Sequence, residues 1–144
     1  MESSAACFLS DRELVSMATA NPAAMVGLQE KIGSLALNRV ADLVVIRDSA
    51  KEYSKDAYWT LTHATPEDVD LVMIGGQATY GDPQLMRQLS KGQNETLHVC
   101  GAEKTISFAS ETQPRGTFAA TESALDHALR EQGRRLAPLA ECGQ

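Results

Sequence analysis

The stretch that decides the fold runs from Leu14 to Ile46 and reads LVSMATANPAAMVGLQEKIGSLALNRVADLVVI. It indicates a helix, a turn marked by glycine and then a strand. Ser10 and Glu13, just upstream, have the spacing of a capping box, which predicts a helix from about Asp11 to Ala20. Asn21-Pro22 favours a second helical start, with asparagine as the cap and proline in the first turn.

The end of this stretch predicts a buried strand. Leu43–Ile46 is a continuous apolar run with two valines, and such runs are typical of strands covered on both faces. Gly33-Ser34 marks the turn before it. Asp42 directly precedes the strand, and two roles are open to it. It could act as a ligand or base, but we expect it to accept hydrogen bonds from backbone amides of the preceding turn.

The remainder of the chain predicts a mainly antiparallel α+β domain that spans residues 1–144. We expect residues 47–65 to be irregular, with Tyr53, Tyr58 and Trp59 packing a long loop. The other predicted elements are strands 69–74 and 77–80 joined by Gly75-Gly76, a helix over 83–89, strands 97–99 and 105–108, and a helix over 118–132. Helices are therefore expected at both ends of the sheet.

Composition narrows the functional classes. The net charge of −6 disfavours nucleic-acid binding, which needs an excess of Lys and Arg. No apolar run has the length of a membrane span, and the first residues lack the basic and apolar parts of a secretory signal. We therefore expect a cytoplasmic protein. Three widely spaced cysteines, Cys7, Cys100 and Cys142, do not form a disulfide framework, and we expect reduced thiols.

The sequence offers few residues for chemistry. His98 and Cys100 lie two apart on one predicted strand, as two metal ligands would, but zinc takes three or four protein ligands. Cys142 or His127 would have to fold nearby to complete such a site, and His63 has no ligand-like spacing. Cys100 lies in an apolar strand, where a thiol is usually an inert small hydrophobe. We therefore predict no catalytic, cofactor-binding or metal-binding residue in this chain.

Three blocks of sequence resemble the amidohydrolase superfamily, in the same order along the chain. Met17–Ala23 resembles the family's M-A-T-x-N-x-A segment. Ile32–Leu35 followed by Ala41–Ile46 resembles I-G-S-L-x-x-G-x-x-A-D-L-V-V, with Asn38 where the family usually has glycine. Val69–Gly76 resembles the V-x-x-V-x-V-x-G hairpin that follows. The likeness is greatest to the deaminase and chlorohydrolase-like subgroup.

The resemblance implies a position in a larger architecture. Family members are (β/α)₈ barrels with a small β-sandwich, and residues 10–28 would be the terminal barrel helix. Residues 32–110 would belong to the composite β-sandwich, and 117–135 would form a C-terminal helix. The family's divalent metal, such as Zn or Fe, is held partly by an H-x-H motif, which this chain lacks. No functional residue is carried over from the family.

Two functional hypotheses follow from the resemblance, and a third from the residues. The first is that the chain is the non-catalytic C-terminal portion of a metal-dependent hydrolase acting on non-peptide C–N bonds. The alternative is a stand-alone binding or oligomerisation module without enzymatic activity. For either, we expect a homo-oligomer formed through an exposed sheet edge or an apolar helix face, with no nucleic-acid or membrane partner. The third is a small metal protein that uses His98 and Cys100.

Overall fold

The computed structural model describes residues 9–48, 56–108, 117–137 and 142. It confirms the predicted α+β class, with a five-stranded antiparallel sheet and helices at both ends. The helices are α1 (Asp11–Ala18), α2 (Ala20–Met25), α3 (Ala57–His63), α4 (Pro83–Leu89) and α5 (Phe118–Glu131). The strands are β1 (Leu43–Ile46), β2 (Val69–Ile74), β3 (Gln77–Gly81), β4 (Gln93–Val99) and β5 (Ala102–Phe108), in the sheet order β1-β2-β3-β5-β4.

The first two helices follow the sequence prediction closely, except where they meet. The capping box is present: the Glu13 amide donates to Ser10 Oγ at 3.3 Å, and the Ser10 amide donates to Glu13 Oε2 at 2.8 Å. α1 ends at Ala18, earlier than predicted, because Thr19 leaves the helical conformation. Thr19 is also the N-cap of α2, so the prediction that Asn21 caps this helix is wrong.

β1 has the predicted bounds, but the prediction that it is covered on both faces is wrong. The strand lies at an edge of the sheet, next to β2. Val44 is 50% exposed and Val45 is 43% exposed. In the part of the chain that the structure describes, the two central residues of this apolar run are thus exposed, while Leu43 and Ile46 are half-buried.

Residues 56–63 are more ordered than predicted. Asp56 accepts a hydrogen bond from the Trp59 amide at 2.9 Å and so caps α3 in a stretch predicted to be irregular. The Trp59 and His63 rings stack, with centroids 4.3 Å apart. Thr62 Oγ1 donates to Asp11 Oδ1 at 2.5 Å, which joins α3 to α1. Tyr53, part of the same prediction, lies outside the described residues.

Two hairpins build most of the sheet. Gly75 and Gly76 have φ angles of 57° and 78°, which side chains rarely adopt, and they form the predicted turn between β2 and β3. Cys100 and Gly101 turn the chain between β4 and β5, and both strands are longer than predicted. α4 has its predicted bounds and places Met86, which has no exposed surface, against Leu71 and Ala78.

The C-terminal part contains a disulfide that the sequence did not predict. Cys100 and Cys142 are bonded, with their Cα atoms 5.1 Å apart, so the expectation of reduced thiols is wrong for this pair. The fold brings together two cysteines that are 42 residues apart, a proximity that spacing alone does not reveal. Cys7 lies outside the described residues. Within those residues, no helix combines the length and apolarity needed to cross a membrane.

Candidate functional site

A cluster of four charged side chains lies where β1, β2, β3 and β5 come together. Arg47 follows β1, and its Nη2 is 2.5 Å from Asp70 Oδ1 on β2 and 3.9 Å from Asp82 Oδ2 after β3. Lys104 on β5 is only 1% exposed. Its Nζ donates to the Val69 carbonyl at 2.8 Å and lies 3.9 Å from Asp70 Oδ1. Asp70 thus joins an exposed cation to a buried one.

The electrostatics of this cluster indicate a structural role. The hydrogen bond from Arg47 to Asp70, together with the charge of that carboxylate, raises the pKa of the Arg47 guanidinium above its ordinary value. Asp82 also accepts from the Gln84 amide at 2.9 Å and caps α4. Two cations therefore balance two carboxylates that are already engaged. Such an arrangement of charge-assisted pairs holds strands together.

Sequence reasoning missed this cluster, although one signal pointed to it. In β5, Lys104 shares its strand face with Ile106 and Phe108, because alternate residues of a strand point the same way. A lysine at an apolar position is a sign of a buried, paired cation. Its partners, the Val69 carbonyl and Asp70, lie on β2 and could not be inferred from the sequence around Lys104.

The histidines lie on three different elements. His63, on α3, has its Nδ1 3.0 Å from the Trp59 carbonyl and 4.0 Å from Asp11 Oδ1. His98 lies on β4 and is exposed. His127 lies on α5, with its Nδ1 3.7 Å from Glu131 Oε1. His63 thus lies at the contact between α3 and α1, whereas His98 and His127 are exposed to solvent.

The described residues do not bring together a donor set for a metal ion. Across residues 9–48, 56–108, 117–137 and 142, no three side chains of the His, Cys, Asp and Glu types lie together as a metal would require. Cys142 does fold beside Cys100, as the hypothesis of a metal site with His98 required. The two sulfurs are bonded to each other, however, and a disulfide sulfur is not the thiolate ligand that zinc prefers.

Asp42 has a structural role, but with a different partner from the one predicted. Its Oδ1 accepts a hydrogen bond from the Gly75 amide at 2.6 Å, and the Gly76 amide donates to the Ala41 carbonyl at 3.0 Å. The carboxylate therefore fixes the β2–β3 turn against the start of β1, rather than the turn that precedes the strand. This hydrogen bond joins two of the three sequence blocks, Ala41–Ile46 and Val69–Gly76.

The most distinctive surface consists of apolar side chains near the N-terminus. Met25 is 87% exposed, Leu35 is 81% exposed and Leu37 is 94% exposed. We call the whole set the apolar N-terminal set; it comprises Leu14, Met17, Met25, Val26, Leu28, Leu35, Leu37, Val40, Val44 and Val45. Single exposed apolar residues are ordinary, and it is their number within about thirty residues of sequence that distinguishes this part of the chain.

The loop that carries part of this set is well defined. Gly33 has a φ of 87°, and a Cβ there would lie 2.6 Å from the Ala23 Cβ and 2.9 Å from the Thr19 carbonyl. The loop can therefore approach α2 only with glycine at this position. Asn38 adopts a φ of 64°, so it takes the left-handed conformation that glycine favours at a turn. The Arg39 guanidinium donates to the carbonyls of Gln29 and Ile32.

Comparison with known proteins identifies the family. The model of the amidohydrolase family matches residues 4–79, which is more than half of the 144 residues. The match includes all three sequence blocks, the apolar N-terminal set and the β2–β3 turn that Asp42 fixes. No match is found among curated proteins or among solved structures. On the strength of the family match, the chain belongs to the amidohydrolase family.

Proposed function

We propose that this chain is the non-catalytic, C-terminal portion of an amidohydrolase-like, metal-dependent hydrolase that acts on non-peptide C–N bonds. One observation carries the proposal: the stretch that matches the family holds a set of apolar side chains that the described part of the chain leaves exposed. In this proposal α1 and α2 are the terminal barrel helix, and the rest of the barrel covers their apolar side chains.

The energetics of exposure support this assignment. Full burial of one Leu or Met side chain contributes about 1.5–3 kcal/mol relative to leaving it in water. Met25, Leu35 and Leu37 gain almost none of this in the described chain, because each is more than four-fifths exposed. A partner that covers these three side chains recovers several kcal/mol, which favours docking and offsets part of the cost of association.

The charged groups also support a structural role, because their carboxylates already have partners within the chain. Asp70 and Asp82 are engaged by Arg47 and Lys104, and Asp42 is engaged by the Gly75 amide. In the proposed enzyme the Zn or Fe ion and the water it activates belong to the barrel, and this chain contributes the wall against which the barrel packs. The substrate class follows from the deaminase and chlorohydrolase-like resemblance of the three blocks.

A direct assay tests the catalytic silence of the chain. The purified protein, supplied with Zn²⁺ or Fe²⁺, is incubated with cyclic amides and aminated heterocycles. We expect no turnover above the metal-only blank. Turnover that a chelator abolishes would contradict the proposal, and His63→Ala, His98→Ala and His127→Ala variants would then locate the ligands.

Two experiments, sequencing of the gene and a binding test, examine the architectural part of the proposal. The reading frame upstream of Met1 is sequenced, and we expect it to encode a barrel with an H-x-H motif. Co-expression of that barrel with the present chain should give a complex, and Leu37→Lys should abolish it. Leu125→Lys on α5, where the native leucine is 52% exposed, is the matched control and should leave the complex intact. A frame without a barrel would refute the architecture.

The open edge of β1 favours a second candidate function, a stand-alone oligomerisation module. In the described chain β1 has β2 on one side, and its own Val44 and Val45 are half-exposed. An uncovered apolar edge strand is a template for pairing with another chain, which in this candidate is a second copy. Light scattering should then show a dimer that Val45→Lys dissociates. A monomer at high protein concentration would exclude the module.

A further inference from the structure

The C-terminal segment is attached to one hairpin of the sheet. We define the C-terminal arm as residues 117–137 together with Cys142. Among the described residues, the arm has two firm attachments. At its start the Phe118 amide donates to both carboxylate oxygens of Glu95 on β4, at 3.0 and 2.9 Å. At its end Cys142 is bonded to Cys100, in the turn that follows β4.

Packing alone holds the arm weakly. α5 has no buried side chain, and within it only Asp126 and Leu129 are half-buried. Phe118 and Leu125 are 36% and 52% exposed. The polar interactions of the helix are largely its own: Thr117 caps it through the Ala120 amide, and Arg130 pairs with Asp126 at 2.7 Å. The disulfide is therefore the main constraint on the far end of the arm.

The disulfide lies where a reductant can reach it. Cys142 is exposed, and Cys100 is half-buried in a tight turn. Thiol–disulfide exchange begins with attack of a thiolate on one sulfur, and an accessible sulfur is attacked faster than a buried one. The hydrophobic core, formed by Leu71, Ala78 and Met86, belongs to other elements, so cleavage of the bond leaves the core in place.

We propose that the C-terminal arm is released from the β4–β5 turn by reduction, so that the redox state of the Cys100–Cys142 pair sets the stability of α5. A dithiol reductant attacks one sulfur to form a mixed disulfide, and its second thiol then displaces the protein. The S–S bond is replaced by two protein thiols, which gain two electrons and two protons in total. The dithiol is oxidised to its own disulfide. The proposal does not depend on the proposed function.

Release has a measurable consequence for α5. The bond closes a loop between residues 42 positions apart, and cutting it restores the conformational freedom of that loop. A helix of fourteen residues without a buried side chain is marginally stable in water, so α5 should unravel for much of the time once the far end of the arm is free. Its amide hydrogens should then exchange faster, whereas those of α4, which holds the buried Met86, should not change.

Hydrogen exchange followed by mass spectrometry tests this directly. The air-oxidised chain is compared with the same chain in dithiothreitol. We expect the α5 amides to exchange at least about tenfold faster after reduction, well within what closure of such a loop can supply. Cys142→Ser without reductant should reproduce the reduced pattern, and dithiothreitol should change this variant no further. Cys7→Ser is the matched control and should respond as the unmodified chain does.

Two results would overturn the proposal. One is an α5 exchange rate that is the same in the oxidised and reduced chains while peptide mapping shows that the bond has been cut. The other is a peptide map of the air-oxidised chain in which Cys100 and Cys142 are not linked. Because Cys142 is exposed, Cys142→Ser should fold even if Cys100→Ser, in the turn, does not.

Discussion

The N-terminal region, residues 9–48, and the sheet region, residues 69–108, are both rich in apolar residues but treat them in opposite ways. The sheet region buries Leu71, Ala78 and Met86. In the N-terminal region Ala23 is buried, while Met25, two residues later, is 87% exposed. The two methionines make the contrast plain, since Met86 has no exposed surface at all.

This difference teaches that an apolar pattern predicts an element without predicting what covers it. The apolar run Leu43–Ile46 is that of a strand covered on both faces, and the helix periodicity is that of a helix with one buried face. In the described chain this region packs on one side, with α1 against α2 and α3 and β1 against β2. The family match covers all of this region, which supports the proposal that its remaining partner is a barrel.

The largest expected effect is the difference in the free energy of unfolding between alanine variants of the two methionines. Met86→Ala removes a fully buried side chain from the core and should lower the free energy of unfolding by about 2–5 kcal/mol. Met25→Ala, the matched control, should lower it by less than about 0.5 kcal/mol, because that side chain is already in water. Urea unfolding measures both. Equal losses in the two variants would mean that Met25 is covered in solution and would break the comparison.

Local signals in the sequence predicted much of the fold. The Ser10–Glu13 spacing placed the start of α1, Gly75-Gly76 placed a hairpin turn, and Pro83 placed the start of α4. Each is a short-range feature whose geometry depends on a few neighbouring residues. Asn38, where the family usually has glycine, adopts a φ of 64°, which asparagine tolerates better than most residues with a side chain.

Features that depend on distant residues could not be predicted in this way. The partners of Lys104 come from β2, and the partner of Cys100 is 42 residues away. Val44 is exposed because its strand lies at the edge of the sheet, and the apolar sequence of β1 does not specify that position. α3 was missed because its cap, Asp56, follows a polar stretch that resembles a loop. The candidate site is almost entirely of this long-range kind.

The next effect tests whether the loop that contains Gly33 packs closely against α2, although much of the N-terminal region is exposed. Gly33→Ala places a methyl group against Ala23 and forces alanine into a left-handed conformation, so it should cost about 2–4 kcal/mol. Gly27→Ala is the matched control. Its φ of 74° is also left-handed, but no atom lies within 4 Å of the added Cβ, so the cost should be about 1–2 kcal/mol. Thermal unfolding followed by circular dichroism separates them. A Gly33 variant no worse than the Gly27 variant would show that the loop does not touch α2.

A smaller effect tests the charged cluster through which Arg47 of the N-terminal region contacts the sheet region. Lys104→Met keeps most of the buried stem but leaves the Val69 carbonyl without its donor, and should cost about 1–3 kcal/mol. Arg47→Met is the matched control. The Arg47 side chain is 50% exposed, so the loss should be below about 1 kcal/mol. Both values come from urea titrations at one salt concentration. A larger loss at Arg47 than at Lys104 would place the important cation at the surface.

The smallest effect concerns the first turn of α1, where the N-terminal region is held by local bonds rather than by a core. Hydrogen bonds from the Ser10 amide and then from the Ser10 hydroxyl lower the pKa of the Glu13 carboxyl. A lowered folded pKa stabilises α1 above the unfolded pKa, near 4.3, and this contribution is lost as the pH falls through the folded value. Ser10→Ala removes the hydroxyl and keeps the amide, so the pKa of Glu13 should rise only part of the way to its ordinary value. An NMR titration of the Glu13 carboxyl measures the shift.

Thr19→Ala, at an N-cap whose side chain makes no capping bond, should leave that pKa unchanged. A Glu13 pKa that is the same in the Ser10→Ala variant would show that the capping box is open in solution and that α1 depends on its packing against α2 and α3.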